Sequence, residues 1–366
     1  MEKTSLHKYF GKIKDPRINR KKKHKLLDVI VLTVIAVICG AESWDSIEEF
    51  GKSRIDFLRK ILELPNGIPS HDTFNRIFSI IKPGYFEKFF IEWANSLKDK
   101  GFDCDILSID GKTIRGSKDS YHGKSAIHLV SMWSSSNGIS LGQRKVNGKT
   151  NEITAIPELL EMLDIKGSII TIDAMGTQRK IAESIINKEA NYILALKGNQ
   201  GYLREDAEAV CSRSKPDSFD ETIEKGHGRI ETRKCEVFQN IDLLENKNDW
   251  KELKSIVRIV ATREINEKRS EETRYFISSL KVDATDFNKY IRQHWGIENS
   301  LHWVLDLVFR EDEQRKRNGN AAENFAIIRK IALNLLKKED SKKMSLVTKR
   351  LKAAWDQDFL MKILTF

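Results

Sequence analysis

Cysteine is scarce. The 366 residues hold four (Cys39, Cys104, Cys211 and Cys235), and no two stand at a Cys-x-x-Cys spacing. That excludes a structural zinc ribbon and a disulfide framework, and predicts reduced thiols in a cytoplasmic protein. Long apolar runs are also missing. The most apolar stretch, Leu26–Cys39, contains Asp28 and falls short of the roughly twenty residues a membrane span needs. It lacks the flanks of a signal peptide, so it reads as a buried helix, and no membrane partner is expected. There is no phosphate-binding Gly-rich loop, no nucleophile elbow and no dinucleotide fingerprint. Internal repeats and low-complexity segments are absent too.

What is present is charge. Hydrophobic residues make up 40% and charged ones 32%, the balance of a globular chain, and the length suits two or three domains. The formal net charge is +10, which favours a polyanionic partner. Residues 1–25 carry ten Lys/Arg against Glu2 and Asp15, so +8 of that total lies there. The densest part is Arg17, Arg20, Lys21, Lys22, Lys23, His24 and Lys25. It reads either as a solvated tail or as an arm contacting phosphates.

The first hundred residues are helical in pattern. Leu26–Cys39 is followed by Trp44–Leu62, with Ser43 or Ser46 as its cap. After the loop at Pro65, Asn66, Gly67 and Pro69, Ser70 caps a short helix over His71–Ile81. Phe74, Ile77, Phe78 and Ile81 form its buried stripe, which leaves His71, Asn75 and Arg76 outward. This arrangement suits either a bundle helix or the reading helix of a helix-turn-helix. A further helix is predicted around Tyr85–Leu97.

The period then changes. Strands are predicted at Asp105–Asp110, Ile127–Ser134, Ile139–Val146, Ser168–Asp173 and Tyr192–Leu196, and helices at Glu152–Leu163 (with Thr150 as a possible cap) and Thr177–Lys188. A hairpin followed by strand–helix–strand demands a mixed sheet with a right-handed parallel crossover. That is the order of a ribonuclease H-like α/β core. Residues 201–285 read as a β-rich insertion with strands at Ile230–Phe238, Ser255–Thr262 and Thr273–Ser279. A long helix is predicted from Asp286 to Leu307, and a basic helical region from Ala321 onward. The domain reading is therefore a helical N-terminal DNA-binding domain over 1–100, a catalytic core over 101–200 and 286–320, the insertion 201–285, and a C-terminal helical region 321–366.

Asp110 and Asp173 each close an apolar strand, where open sheets bind ligands. Each alone could be a turn residue. Gly111 and Ala174 after them leave room for a substrate. Glu298, on the predicted helix, would complete a three-carboxylate cluster. Like charges ~4 Å apart repel by about 4 kcal/mol at an effective dielectric of ~20, so the three need a cation. Oxygen-only ligands favour Mg²⁺ or Mn²⁺, and two such ions can drive phosphodiester cleavage. The spacings are 63 and 125 residues; the second is long, in keeping with the insertion. A rival metal site would use His294, Glu298 and His302, four residues apart on one helix face. No His-Glu-x-x-His motif supports it. Trp295 and Trp303 read as core.

The blocks DPRINRKKKHKLLDVI, LPNGIPSHDTFNRIF, LSIDGKTIRGS, NEITAIPELLEMLDIKGSIITIDAMGTQRKIA, YILALKGNQ and HWGIENSLHWVLDLVFRED resemble, in order, those of the DDE insertion-sequence transposases, in the group that includes the H-repeat-associated proteins. The resemblance implies that Asp110, Asp173 and Glu298 are the catalytic, metal-holding triad. It also implies that the first hundred residues bind DNA, and that the enzyme cuts element ends and joins them to target DNA as an oligomer. The implied partners are double-stranded DNA, in the form of terminal inverted repeats and target, and a second copy of the chain at the nucleoid. One departure stands out. The wider group has Arg four residues before the glutamate and Lys seven after it, whereas His294 and Leu305 occupy those positions here. Arg292, Arg310 or the cluster Arg315, Lys316 and Arg317 are the available substitutes. Lys112 and Arg115 after the first aspartate, and Lys197 and Asn199 after the last core strand, are expected near the scissile phosphate.

Overall fold

The computed structural model describes residues 4–19, 22–99, 104–146, 152–226, 228–266 and 268–366; Arg20, Lys21 and Thr150 of the sequence reading lie outside them. The chain opens with helices α1 (Ser5–Phe10), α2 (Leu26–Ile38), α3 (Trp44–Ser53), α4 (Ile55–Leu58), α5 (His71–Ile80) and α6 (Pro83–Ser96). The predicted helix over Trp44–Leu62 is thus two, broken at Arg54. Ser43 caps α3, accepting the Ser46 N–H at 3.1 Å. The all-round apolarity of α2 has a simple cause: twelve of its thirteen residues are buried. Asp28 is tolerated there because its carboxylate accepts the Leu64 N–H at 2.9 Å, which meets the rule that a buried charge must be satisfied.

Strands β1 (Ile106–Ile114), β2 (Ile127–Ser134) and β3 (Ile139–Val146) follow, then α7 (Glu152–Met162), β4 (Ile169–Ile172), α8 (Arg179–Asn187), β5 (Asn191–Leu196) and α9 (Gly201–Arg213). Four long strands come next: β6 (Ser218–Gly226), β7 (Arg229–Phe238), β8 (Ser255–Ile265) and β9 (Lys268–Ser278). The inserted region therefore starts with a helix and has four strands where sequence patterning predicts three. All nine strands form one mixed sheet in the order β3-β2-β1-β4-β5-β9-β8-β7-β6. β1, β4 and β5 are parallel, and the inserted meander joins through the antiparallel β5–β9 pair.

The predicted long helix over 286–307 is in three parts: α10 (Ala284–His294), a π-helical turn at Glu298–His302, and α11 (Trp303–Leu307). α10 docks Phe287 and Ile291 against Ile106, Ile169 and Ile193 on one sheet face. α7, α8 and α9 cover the other face through Leu159, Ile185 and Val210.

The chain ends in α12 (Ala321–Lys338), α13 (Leu346–Trp355) and α14 (Gln357–Leu364). These share one hydrophobic core with α1–α6. α12 is buried almost all round, with Arg329 and Lys330 buried along with its apolar residues. It also covers the outer edge of β3. Asn334 accepts the Ser140 N–H at 2.9 Å and donates to the Ser140 carbonyl at 2.8 Å, so the edge offers no free pairing groups there.

Buried ions bind these parts together. Glu311, 2% exposed, faces Arg329 at 3.6 Å and Lys112 at 3.1 Å, and Lys112 also meets Asp306 at 2.7 Å. Arg329 approaches Glu42 at 4.0 Å, which pairs in turn with Arg350 at 2.5 Å. Burial pushes the Glu311 carboxyl up, but Lys112 and Arg329 outweigh that and hold it below its ordinary value. A depressed carboxylate stabilises the fold above the unfolded-state value of about 4.3 and loses that contribution as pH falls through the folded one. Glu311→Gln is expected to lower unfolding free energy in urea by about 3–5 kcal/mol at neutral pH, because it strands buried cations. It should also flatten the acid limb of stability against pH.

Candidate active site

Side chains alternate along a strand, so Ser108 and Asp110 share one face of β1, as do Thr171 and Asp173 at the end of β4. Parallel pairing of β1 with β4 runs to Ile109 opposite Ile172. The two aspartates are the next residue on each strand. β1 itself continues to Ile114 against β2, so Asp110 stands within a strand and does not end one, contrary to the sequence reading. What stops there is only the β4 partner, and that opens a space above Asp110.

Gly111 has a steric reason to be glycine. A Cβ there would lie 2.0 Å from Glu152 Oε1 and 2.6 Å from His128 Nε2. These two side chains pair at 2.6 Å over the strand. Glu152 is a fourth carboxylate beside the aspartates, and nothing in the sequence pattern singles it out.

The helical segment above supplies the rest. Thr171 donates to Ser108 Oγ at 3.1 Å and lies 2.9 Å from His294 Nδ1, which anchors the end of α10 to the sheet. Glu298 and His302 follow at four-residue steps. His302 Nδ1 lies 3.4 Å from Asp110 Oδ2, while its Nε2 is buried without a partner. Asp110, Asp173 and Glu298 line one pocket of about 180 Å³ with Lys197, Arg274 and His294. Asn199 donates to the Ala174 carbonyl at 2.6 Å, and Asp173 accepts the Met175 N–H at 3.1 Å. Glu298 sits in the π-helical turn, a distortion that recurs at functional sites.

The electrostatics follow from this crowding. Burial pushes Asp173 up, and Glu152 and Asp110 add to it. Glu298 is raised by burial and by Asp110. Burial also acts on Asp110, but His302 and the Gly111 N–H hold it below its ordinary value. Among the described residues, no three His, Cys, Asp or Glu side chains stand at the spacing of ligands to one metal ion. Asp110, Asp173 and Glu298 nonetheless offer carboxylate oxygens to the pocket, the ligand type that Mg²⁺ and Mn²⁺ prefer.

Several expected DNA contacts are placed elsewhere. Lys112 is turned inward onto Asp306, Glu311 and Asp312. Lys316, 6% exposed, sits 3.9 Å from the Phe325 ring centre and 5.0 Å from that of Trp44. Both are held inside the fold by their partners, the acids around Lys112 and the Glu42 carbonyl on Lys316. His294 points into the sheet, and Arg292 pairs with Glu224 at 2.5 Å. Lys197, Arg315 and Arg317 are exposed, as is the Arg115 side chain at 86%. His71 pairs with Glu48 at 2.9 Å, Lys25 contacts Glu63, and Lys22, Lys23 and Arg76 are exposed with Asn75 half-buried beside them. Trp303, read as core, is 59% exposed.

A larger cleft of about 990 Å³ adjoins the carboxylate pocket and shares Glu272, Arg274 and Trp295 with it. It runs between the inserted strands and the segment before Glu298. Arg229, Arg233, Arg263 and Lys337 also line it. Arg274 lies 5.1 Å over Trp295, and Lys337 5.0 Å over Trp133. The arginines come from β7, β8 and β9 and Lys337 from the end of α12, with no local motif, so only the tertiary fold reveals them as one surface.

No helix among the described residues is long and apolar enough to cross a membrane. The sequence matches the DDE_Tnp_1-associated family over residues 7–94 and the transposase DDE domain over residues 102–335. It is 46% identical to "Putative transposase YncI" of Escherichia coli O157:H7, over 100% of this chain and 95% of that one. It is 43% identical to "H repeat-associated putative transposase YhhI" of Escherichia coli K12, over 100% and 98%. Among solved structures, a piggyBac transposase synaptic complex with hairpin DNA aligns with 98% of this chain and 76% of that one, at 14% identity and a TM-score of 0.46, too distant a likeness to carry weight. On the two family matches and the full-length relatives, the chain belongs to the transposase DDE domain family, in the group that includes the H-repeat-associated proteins.

Proposed function

We propose that this protein is a metal-dependent DNA transposase that cleaves element ends and transfers them into target DNA, and that Asp110, Asp173 and Glu298 are its catalytic residues. The observation that carries this reading is their convergence on one pocket from β1, β4 and the turn after α10. The strand order β3-β2-β1-β4-β5, with two parallel crossovers, supports a ribonuclease H-like core. Residues 1–100 are assigned to DNA binding and 201–285 to an insertion that walls the basic cleft.

The three carboxylates would hold Mg²⁺ or Mn²⁺, which when bound activates the attacking oxygen and stabilises the leaving one. The chain's own part is positioning. The His302 contact orients Asp110, and the Met175 N–H fixes Asp173. Lys197 and Arg274, beside Glu298, present cations to a phosphodiester entering the pocket. The cleft beyond, with its arginines and two tryptophans, suits a nucleic-acid strand. Double-stranded DNA, as element ends and target, is the substrate, handled by a homo-oligomer in the bacterial cytoplasm.

A second reading, DNA binding without cleavage, draws on the absence of a ready ligand set among the described residues. Purified protein with DNA bearing both element ends and Mg²⁺ or Mn²⁺ separates the two. Cleavage and joining are expected in wild type, with binding alone in Glu298→Gln. Equal binding and no cleavage by either protein would leave only the second reading.

His302→Ala frees Asp110 without removing a carboxylate. It should slow cleavage by about 10–100-fold, the usual cost of losing a group that orients a metal-site ligand, with DNA affinity unchanged. A rate within twofold of wild type would remove His302 from the mechanism.

A further inference from the structure

The arm that carries most of the net charge does not stand free of the fold. Its described end closes over the start of α5 and forms a pocket of about 260 Å³, room for several water-sized volumes at roughly 30 Å³ each. Arg17, Lys23 and His24 line it from the arm, and Ser70, Thr73 and Arg76 from α5 and its cap. Arg17 is already neutralised and fixed in place. It chelates Asp15 at 2.9 and 2.8 Å and donates to the His24 carbonyl at 2.6 Å. Lys23 and Arg76 make no ion pair with an acidic side chain among the described residues, so the pocket keeps two uncompensated positive charges.

Two further features point inward. His24 is only 8% exposed, and its Nδ1 has no hydrogen-bond partner, although the ring lies within hydrogen-bond reach of the Gly67 backbone. A buried orphaned ring nitrogen costs stability unless something meets it. Ser70, the N-cap of the ten-residue α5, makes no side-chain bond to the helix backbone; its hydroxyl lies 3.1 Å from that of Thr73. Glu48 takes the His71 N–H, so the helix end is already met by a carboxylate, while the Ser70 and Thr73 side chains line the pocket.

We propose that this pocket binds a single phosphate group, and that its natural occupant is one backbone phosphate of the DNA. The second half of that statement rests on the transposase reading above. Lys23 and Arg76 close on the same group from opposite sides, while His24, Ser70 and Thr73 supply hydrogen-bonding partners. The arm thereby fixes the position of α5 on the duplex as well as adding charge.

Two measurements on the full chain test it. In protein labelled with ¹³C-histidine, inorganic phosphate is titrated at constant pH and ionic strength. The His24 ring signal should move saturably, that of His7, whose ring lies on the Ile61 carbonyl, should not, and Arg76→Gln should abolish the movement. An unsaturated shift, or the same shift in Arg76→Gln, overturns the pocket.

The second measures affinity for a short duplex across a range of salt for wild type, Lys23→Gln, Arg76→Gln and the double variant. Both side chains are exposed, so an unchanged Tm is expected throughout. One lost phosphate lowers the slope of log K against log salt by about 0.9. Each single variant should lose that amount, and the double variant no more. A double variant that loses about twice as much would mean two independent surface contacts and overturn the proposal. So would unchanged slopes with the duplex still bound, which leave the DNA reading standing. Saturable phosphate binding by a protein that binds no duplex supports the anion pocket and overturns the DNA reading.

Discussion

Everything at the candidate site depends on where one pair of parallel strands stops. β4 is four residues long and leaves β1 at Ile172, opposite Ile109. Alternation then presents Asp110 and Asp173 on the same face, side by side. A longer β4 would have drawn Asp173 into the ladder and closed the space above Asp110. Burial raises the Asp173 carboxyl, and Glu152 and Asp110 resist its charge further. The resistance is tolerable because His302 and backbone N–H groups offset part of it.

Glu298 reaches this place through α10. That helix is held by apolar contacts to the central strands and by the Ser108–Thr171–His294 chain. The π-helical turn then re-aims the next residues over the strand ends. The following segment is tied down by a different force. Asp306, Glu311 and Asp312 converge on Lys112, two residues beyond Asp110. Glu311 passes the linkage to Arg329 in α12. The strand that carries Asp110, the segment that carries Glu298 and the helical bundle are therefore coupled by one buried ionic network. Its interior position makes each member costly to remove.

The inserted strands contribute to the site without contributing any of Asp110, Asp173 and Glu298. By extending the sheet past β5 they wall the basic cleft and bring Arg274 and Glu272 to the pocket's edge. Arg315 and Arg317 share a pocket with Asn75 of α5 and Lys124, so cationic surface extends from the N-terminal helices toward the core.

Most of the core was legible because its signals are local. The apolar runs ending in Asp-Gly and Asp-Ala, the hairpin at Ser135–Gly138, and the stripe Phe74, Ile77, Phe78 and Ile81 each need only neighbouring residues. The family resemblance linked Glu298 to the two aspartates across 125 residues, which periodicity alone could not do. The strand β6 escaped because Asp220, Glu221, Glu224 and Lys225 mask any alternation; its identity as a strand comes from pairing with β7. A lysine beside a catalytic aspartate reads as a phosphate ligand, yet the acids that capture Lys112 lie about two hundred residues later. Lys316 and Lys330 likewise turn inward onto distant partners, the Glu42 carbonyl and the Gln143 side chain, 274 and 187 residues away. Sequence by itself determined most of the strands and helices and which residue types the chemistry requires. The tertiary structure alone decided which charges meet solvent, because burial and ion pairing depend on partners that chain distance hides.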